Sequence, residues 1–356
     1  MFLSHLNLVG FKNYDQADFA FSQGINCIVG KNGIGKTNLL DAIHYLALAK
    51  TSLTTSDSQN IRKGDRVFTV FGNFDPKLTI ACSYEFRKGK TLKVNGLEKR
   101  KLSEHIGTVP LVLIAPDDSE IIKEGNEYRR KFFDGAIAQI DTEFLTNLIL
   151  YNRVLKQRNE HLKASLEKGA VDHHLLDTYD QQLLPLAVRI SKRRSTFLDD
   201  FQPYFESSYS SLNDQEEVPN IHFESDLLSD DFEETFRANR PRDTLMGRTL
   251  LGAHKDRYEF NLNDDQIRKF GSQGQQKTFI IALKLAEYDL LKKESGRAPI
   301  LLLDDIFDKL DDTRIGLLVE LLKDDGRFEQ VFISDARAER SRAFFENFAV
   351  NFIALC

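Results

Sequence analysis

An α/β fold is predicted, with a mixed sheet and an antiparallel β-subdomain built from the two ends of the chain and an α-helical arm inserted between them. Three observations predict it. First, the apolar run Ile25-Asn26-Cys27-Ile28-Val29 leads into a glycine-rich turn and then a helical pattern from Asn38 to Ala49. Second, Pro299 to Leu303 and Gln330 to Ser334 are short, nearly unbroken apolar runs, the pattern of parallel strands buried on both faces. Third, from about Asp117 to Ser211 strand alternation gives way to apolar residues at helical spacing.

The first residues, Met1 to Leu8, alternate as a half-buried strand does, and they lack the unbroken apolar core of a signal peptide. Next comes Gly30-Lys31-Asn32-Gly33-Ile34-Gly35-Lys36-Thr37, a G-x-x-x-x-G-K-[ST] loop in its required strand-to-helix setting. Glycines there let backbone N–H groups approach phosphates, and the N-terminus of the helix beginning near Asn38 favours their charge. Lys36 can reach the β- and γ-phosphates, while the Thr37 hydroxyl suits a magnesium ion. A bound nucleoside triphosphate follows from this loop.

Val67 to Phe74 and Leu78 to Phe86 alternate at period two, as antiparallel strands do, and Asn95-Gly96 is a hairpin turn. Val109 to Ala115 is strand-sized. In the arm, Phe144, Leu145, Leu148, Leu155 and Leu162 define one helix that Gly169 ends. A second helical stretch runs from Asp172 to Phe205, with a kink expected at Pro185, and the two fold back as an antiparallel pair. Ser207 to Glu234 reads as loop-rich with a strand at Ile221-His222-Phe223. Strands resume near Arg242, Gly274 to Lys292 is an amphipathic helix, and another helix surrounds Ile315 to Leu322. The expected domains are therefore a discontinuous head, 1–116 and 236–356, and an inserted arm or lid, 117–235.

Composition narrows the class of partner. The 356 residues carry a formal net charge of −6, so a nucleic-acid site would have to be a local basic patch on an acidic molecule. Candidate patches are Arg62, Lys63 and Arg66; Arg87, Lys88, Lys90, Lys99, Arg100 and Lys101; Arg129, Arg130 and Lys131; and Lys192, Arg193 and Arg194. Cys27, Cys82 and Cys356 stand too far apart for paired zinc or redox spacing and read as reduced thiols. No apolar run is long enough to span a bilayer, and the expectation is a cytoplasmic protein without a membrane partner.

Three further features give the loop a context. Leu301-Leu302-Leu303-Asp304-Asp305 is an apolar strand ending in two carboxylates; beside the glycine loop the first could hold the metal through water and the second polarise an attacking water. By itself the same pattern suits a buried strand with two solvent-facing aspartates. Gly271-Ser272-Gln273-Gly274-Gln275-Gln276 is a polar turn capping a helix, whose N-terminus offers a second anion site. Asp308-Lys309-Leu310-Asp311 lies just beyond the paired carboxylates.

In this order the set resembles the ATP-binding-cassette (ABC) superfamily, in which the signature turn of one protomer contacts the γ-phosphate held by the glycine loop of another. A closer resemblance, over nearly the whole chain, is to the RecF family of bacterial DNA replication and repair proteins. It rests on Leu8 to Tyr14, Gly30 to Leu48, Pro110 to Asp118, Tyr128 to Asp134, Ser272 to Glu287 and Leu301 to Asp311. The resemblance implies an ABC-type ATPase head with ATP and Mg2+ as cofactors and slow hydrolysis serving as a switch. Lys36, Asp304 and Asp305 would be catalytic, and Thr37 and Asp304 would hold the metal. Nucleotide contacts would come from Gly30, Lys31, Asn32, Gly33, Ile34, Gly35, Lys36, Thr37 and Asn38, from Lys12 and Asn13, and from Ser272, Gln273, Gly274 and Gln275. It further implies an ATP-dependent homodimer that binds single-stranded gaps, single-strand–double-strand junctions and duplex DNA, and that acts in the SOS response with the RecR mediator and, through it, the RecA recombinase. Another SMC-like or transporter-type ABC subunit is the alternative. The chain departs from the family at Ser52-Leu53-Thr54, where an arginine is common, at Lys309, and at Gly252 to Arg257, which keeps His254 and Asp256. No histidine follows Ser334-Asp335, where transporters usually place one.

Overall fold

The computed structural model describes the chain except residues 55, 214–216, 309–311, 324–325, 347 and 356, with backbone only at 168, 308 and 312. Lys309, Leu310 and Asp311 of the expected linker loop thus lie outside the described residues. The strands in chain order are β1 Phe2–Phe11, β2 Tyr14–Ala20, β3 Gly24–Val29, β4 Val67–Asp75, β5 Leu78–Glu85, β6 Gly89–Val94, β7 Leu97–Glu98 and β8 Leu111–Ile114. They continue with β9 Pro219–Glu224, β10 Arg257–Leu262, β11 Asp265–Gln266, β12 Ile300–Leu303, β13 Gln330–Asp335 and β14 Val350–Ala354. The chain divides into two units, residues 1–119, 204–217 and 272–356 in one, and 120–203 and 218–271 in the other.

The first unit holds two sheets. One is five-stranded and wholly parallel, in the order β14-β3-β13-β12-β8. β12 is apolar along its length because both faces are covered, and every residue of β12 and β13 is buried. The other is six-stranded and antiparallel, in the order β2-β1-β4-β5-β6-β7. Parallel and antiparallel pairing are thus divided between two sheets rather than mixed in one. Asn95 and Gly96 both take positive φ, 49° and 78°, the geometry that lets a two-residue turn match the strand twist.

The helix Lys36–Leu48 lies between these sheets and belongs to their common core. Its Tyr45 ring meets Phe68 of β4 at 5.4 Å and Phe11 of β1 at 6.2 Å, and the same apolar cluster includes Ile28, Leu302 and Phe332 of the parallel sheet. Truncating a buried ring such as Phe68 to alanine would cost about 3–5 kcal/mol. The helix Gln273–Ser295 differs from its amphipathic expectation. Thr278 through Leu283 are all buried, so it runs through the core, with Phe279 against Phe205 at 4.7 Å and Tyr209 at 6.3 Å.

The second unit is mainly helical. Thr142–Lys168 ends at Gly169, whose φ of 68° suits a left-handed cap, and His173–Ser210 follows. Ion pairs Arg158–Asp180 and Arg193–Asp141, placed nearly symmetrically about that break, fix the antiparallel register. The second helix continues through both Pro185 and Pro203 and ends at Ser210, beyond the start of the stretch read as loop. Because β9 pairs with β10 along its whole length, Pro219 opposite Leu262 and Glu224 opposite Arg257, this unit extends to Gly271 instead of closing at residue 235. Among the described residues no helix is long and apolar enough to cross a membrane.

Candidate triphosphate site

The glycine loop leaves β3 and enters the helix at Lys36, with Gly35 as N-cap at a φ of 121°. A side chain at Gly35 is excluded twice over. Its Cβ would lie 2.5 Å from Asn13 Nδ2 and 3.0 Å from the Tyr14 hydroxyl. Both neighbours brace the loop from the turn between β1 and β2. Asn13 Nδ2 donates to the Ile34 carbonyl (2.9 Å), the Tyr14 hydroxyl donates to the Gly35 carbonyl (3.0 Å), and Asn38 Nδ2 donates to Asn13 Oδ1 (2.8 Å). Lys36, buried at 4% exposure, turns its ammonium back into the loop, 3.0 Å from the Gly30 carbonyl, 3.4 Å from that of Lys31 and 3.5 Å from Asn32 Oδ1.

Thr37 and Asp304 are 267 residues apart in sequence, yet the Thr37 hydroxyl donates to Asp304 Oδ1 at 3.1 Å. Strand order explains this: β3 and β12 flank β13 in one parallel sheet, so their C-terminal ends meet. The Ser334 hydroxyl at the end of β13 also donates to Asp304 Oδ1, at 2.7 Å, and lies 3.4 Å from Asp305 Oδ1. Burial, with Asp305 adjacent, holds the Asp304 carboxyl above the usual range against the opposing pull of Ser334, Thr37 and Lys36. One hydroxyl and one carboxylate form a hard-oxygen donor pair that suits Mg2+, which retains waters and takes phosphate oxygens to complete its shell. Among the described residues no cluster of three or more His, Cys, Asp or Glu side chains could hold a metal without such help.

Lys12 is placed differently from the loop residues. Its ammonium is held by Asp41 at 2.5 Å, and Asp41 also accepts from the Thr51 hydroxyl (2.7 Å) and from Ser52 N and Oγ (2.6 Å each). Burial opposes ionisation of Asp41, but Lys12 and these donors outweigh it and hold its carboxyl below the ordinary range. Ser52 thus serves Asp41.

The polar turn before the helix Gln273–Ser295 is a full capping box: Gln275 N donates to Ser272 Oγ (3.2 Å) and Ser272 N to Gln275 Oε1 (2.7 Å). Ser272 and Gln273 are exposed. Gln275 Nε2 donates to Glu217, which also accepts from Tyr209 and Asn213. The Arg314 guanidinium packs against Gly274, about 3.1 Å from where a Cβ would stand.

In the second unit the arginines of two basic clusters are tied down, while Lys131 and Lys192 of the same clusters remain exposed. Arg129 is buried and donates to the carbonyls of Ile121, Ile122 and Tyr258; Arg130 donates to that of Asp256. Arg193 pairs with Asp141, and buried Arg194 with Asp134 and Asp256. His254 is structural as well. Its Nε2 donates to the Thr249 carbonyl, so Nδ1 accepts from the Tyr151 hydroxyl at 2.7 Å, and burial lowers its pKa to about 4. By contrast, Arg87, Lys88, Lys93, Arg100 and Lys101 remain exposed around β5 to β7, although Lys90 is tied to Asp57 and Ala49.

A glycine loop, an acidic strand end and a capped polar turn, with loop and acidic end on one parallel sheet, define a phosphate-loop head of the ABC/SMC class. The RecF/RecN/SMC N-terminal domain family model matches residues 2–353. A DNA replication and repair protein RecF from Cytophaga hutchinsonii is 43% identical over 98% of this chain and 92% of its own length. A solved structure of the recombination mediator protein RecF-ATPrS in the RecFOR pathway superposes with a TM-score of 0.86 at 28% identity, covering 94% of this chain and 92% of that one. An Smc head bound to the C-winged helix domain of ScpA, at 17% identity and a TM-score of 0.55 over 95% and 90% of the two chains, shares the fold. The chain belongs to the RecF/RecN/SMC family and, within it, to the RecF proteins of DNA replication and repair.

Proposed function

We propose that this chain is an ATP-driven switch that binds DNA at single-stranded gaps and at single-strand–double-strand junctions during recombinational repair. The observation that carries the reading is the Thr37–Asp304 hydrogen bond, which joins the phosphate loop to the acidic strand end. It is supported by the likeness to a solved structure of the recombination mediator protein RecF-ATP in the RecFOR pathway. In this reading Gly30 to Asn38 wrap the triphosphate, Lys36 pairs with its terminal phosphates, and Thr37 and Asp304 hold Mg2+. The ion, when bound, would neutralise charge on the phosphate oxygens. Asp305 orients the attacking water, and its short reach suits slow turnover.

Ser272, Gln273, Gly274 and Gln275 present an exposed helix N-terminus to the γ-phosphate of a second copy, so ATP closes a two-fold dimer and hydrolysis releases it. DNA lies against the basic hairpins of β5 to β7, whose charges survive on an otherwise acidic molecule. The partners are a RecR-type mediator and, through it, RecA, in the cytoplasm. The test is equilibrium binding to gapped, single- and double-stranded DNA, with and without ATP and Mg2+, at two salt concentrations. Affinity should rise with ATP, fall steeply with salt and depend little on sequence. Equal, salt-insensitive binding in all arms would reject the reading. Sedimentation should show monomer becoming dimer with ATP and Mg2+; an unchanged mass rejects the dimer.

A further inference from the structure

Asp305 stands in the left-handed region, at a φ of 45°, two residues beyond the last residue of β12 paired to β13, Leu303 opposite Ile333. Aspartate tolerates this region better than most residues, but something must hold the turn. In register, Ser334 is the residue opposite Asp304, one step past the last pair. Its Oγ accepts the Asp305 N–H at 2.9 Å, so a side-chain oxygen replaces the main-chain acceptor that another rung of the ladder would have supplied. The same hydroxyl has a single proton, given to Asp304 Oδ1 at 2.7 Å, with Asp305 Oδ1 as a second, longer choice at 3.4 Å. Ser334 is fully buried, which keeps water from competing for these bonds.

We infer that Ser334 is a positioning residue for hydrolysis: it fixes the Asp305 turn through the main chain and, by engaging Asp304 with its proton, leaves the Asp305 carboxylate available to accept from water. The inference deepens the proposed ATPase reading and rests on it.

The test compares wild type with Ser334→Ala and Ser334→Thr in steady-state ATP hydrolysis, in affinity for a non-hydrolysable ATP analogue with Mg2+, and in thermal unfolding without nucleotide. For Ser334→Ala, kcat is expected to fall about ten- to a hundredfold, as befits a lost hydrogen bond to a charged group. Analogue affinity should stay within about threefold, and Ser334→Thr, which keeps the hydroxyl, should recover most of kcat. Wild-type turnover with an unchanged Ser334→Ala rate overturns the inference alone. A fall in kcat matched by lost analogue affinity and a lower unfolding temperature, unrelieved by threonine, also overturns it in favour of a packing role. If wild type hydrolyses no ATP with or without DNA, the ATPase reading and this inference fall together.

Discussion

Lys36→Met tests the site most directly, because methionine preserves the buried stem and removes only the charge. In the resting loop the ammonium has one good contact, to the Gly30 carbonyl at 3.0 Å, and two longer ones, to the Lys31 carbonyl and Asn32 Oδ1. Together these are worth about 1 kcal/mol net. A phosphate oxygen carrying unit charge about 4 Å away is worth about 4 kcal/mol at an effective dielectric near 20. Nucleotide binding exchanges the first set for the second, so the side chain contributes about 3 kcal/mol to affinity. The expected outcome is a dissociation constant raised about a hundredfold or somewhat more. Titration of a fluorescent ATP analogue with Mg2+ measures this, and an unfolding midpoint without nucleotide close to wild type excludes collapse of the loop. An analogue bound within about threefold of wild-type affinity would refute the reasoning, since the triphosphate would then lie beyond reach of Lys36.

Asp305→Asn keeps size and tolerance of the left-handed turn while removing the acceptor charge; hydrolysis should fall at least about a hundredfold with analogue affinity unchanged, in a coupled phosphate-release assay. Arg194→Met strips Asp134 of a bidentate partner, two bonds of 2.8 Å, and Asp256 of a single bond of 2.8 Å, and should cost about 3–5 kcal/mol in urea unfolding; a loss below about 1 kcal/mol would mean the arm tolerates both carboxylates without their cation. Glu287 is buried and its pKa is raised to about 7, chiefly by desolvation, with nearby Lys284 opposing the rise. A carboxyl whose folded pKa lies above its unfolded value binds more protons when folded, so stability falls as pH rises from about 4.5 to about 7. Glu287→Gln should therefore gain up to about 3 kcal/mol on wild type at pH 8 and little at pH 4.5, measured by chemical denaturation; equal gains at both pH values would reject burial as the cause.

The elements that local spacing encodes were readable in the chain itself. Glycines at fixed intervals, a short apolar strand ending in Asp304-Asp305 and a Ser272 cap with Gln275 three residues later each declare themselves within a dozen residues. Buried parallel strands were legible for the same reason, since β12 is apolar at every position. Contacts set by topology were beyond local reading. Nothing near Ser334 announces that its hydroxyl will serve carboxylates 29 and 30 residues earlier, and nothing near Glu217 points to Gln275. The helix after Ser272 departs from an amphipathic pattern because the fold sets Lys284 and Glu287 against each other beside Asp118 rather than in solvent, a pairing no local spacing announces. Arg129 and Arg194 stand among the candidate nucleic-acid patches in the sequence, and the acceptors that bury them lie up to 129 residues away. The arm's limit is not legible locally, because pairing of β9 with β10, unlike a turn, leaves no mark on composition.

The brace from Asn13 and Tyr14 carries a consequence for recognition. A phosphate cradle whose carbonyls are already tied to a neighbouring hairpin arrives at its ligand largely shaped, so little chain entropy is lost on association and selectivity rests on charge and fit. Loosening that hairpin would weaken nucleotide capture from outside the loop, without altering any residue that a triphosphate would touch.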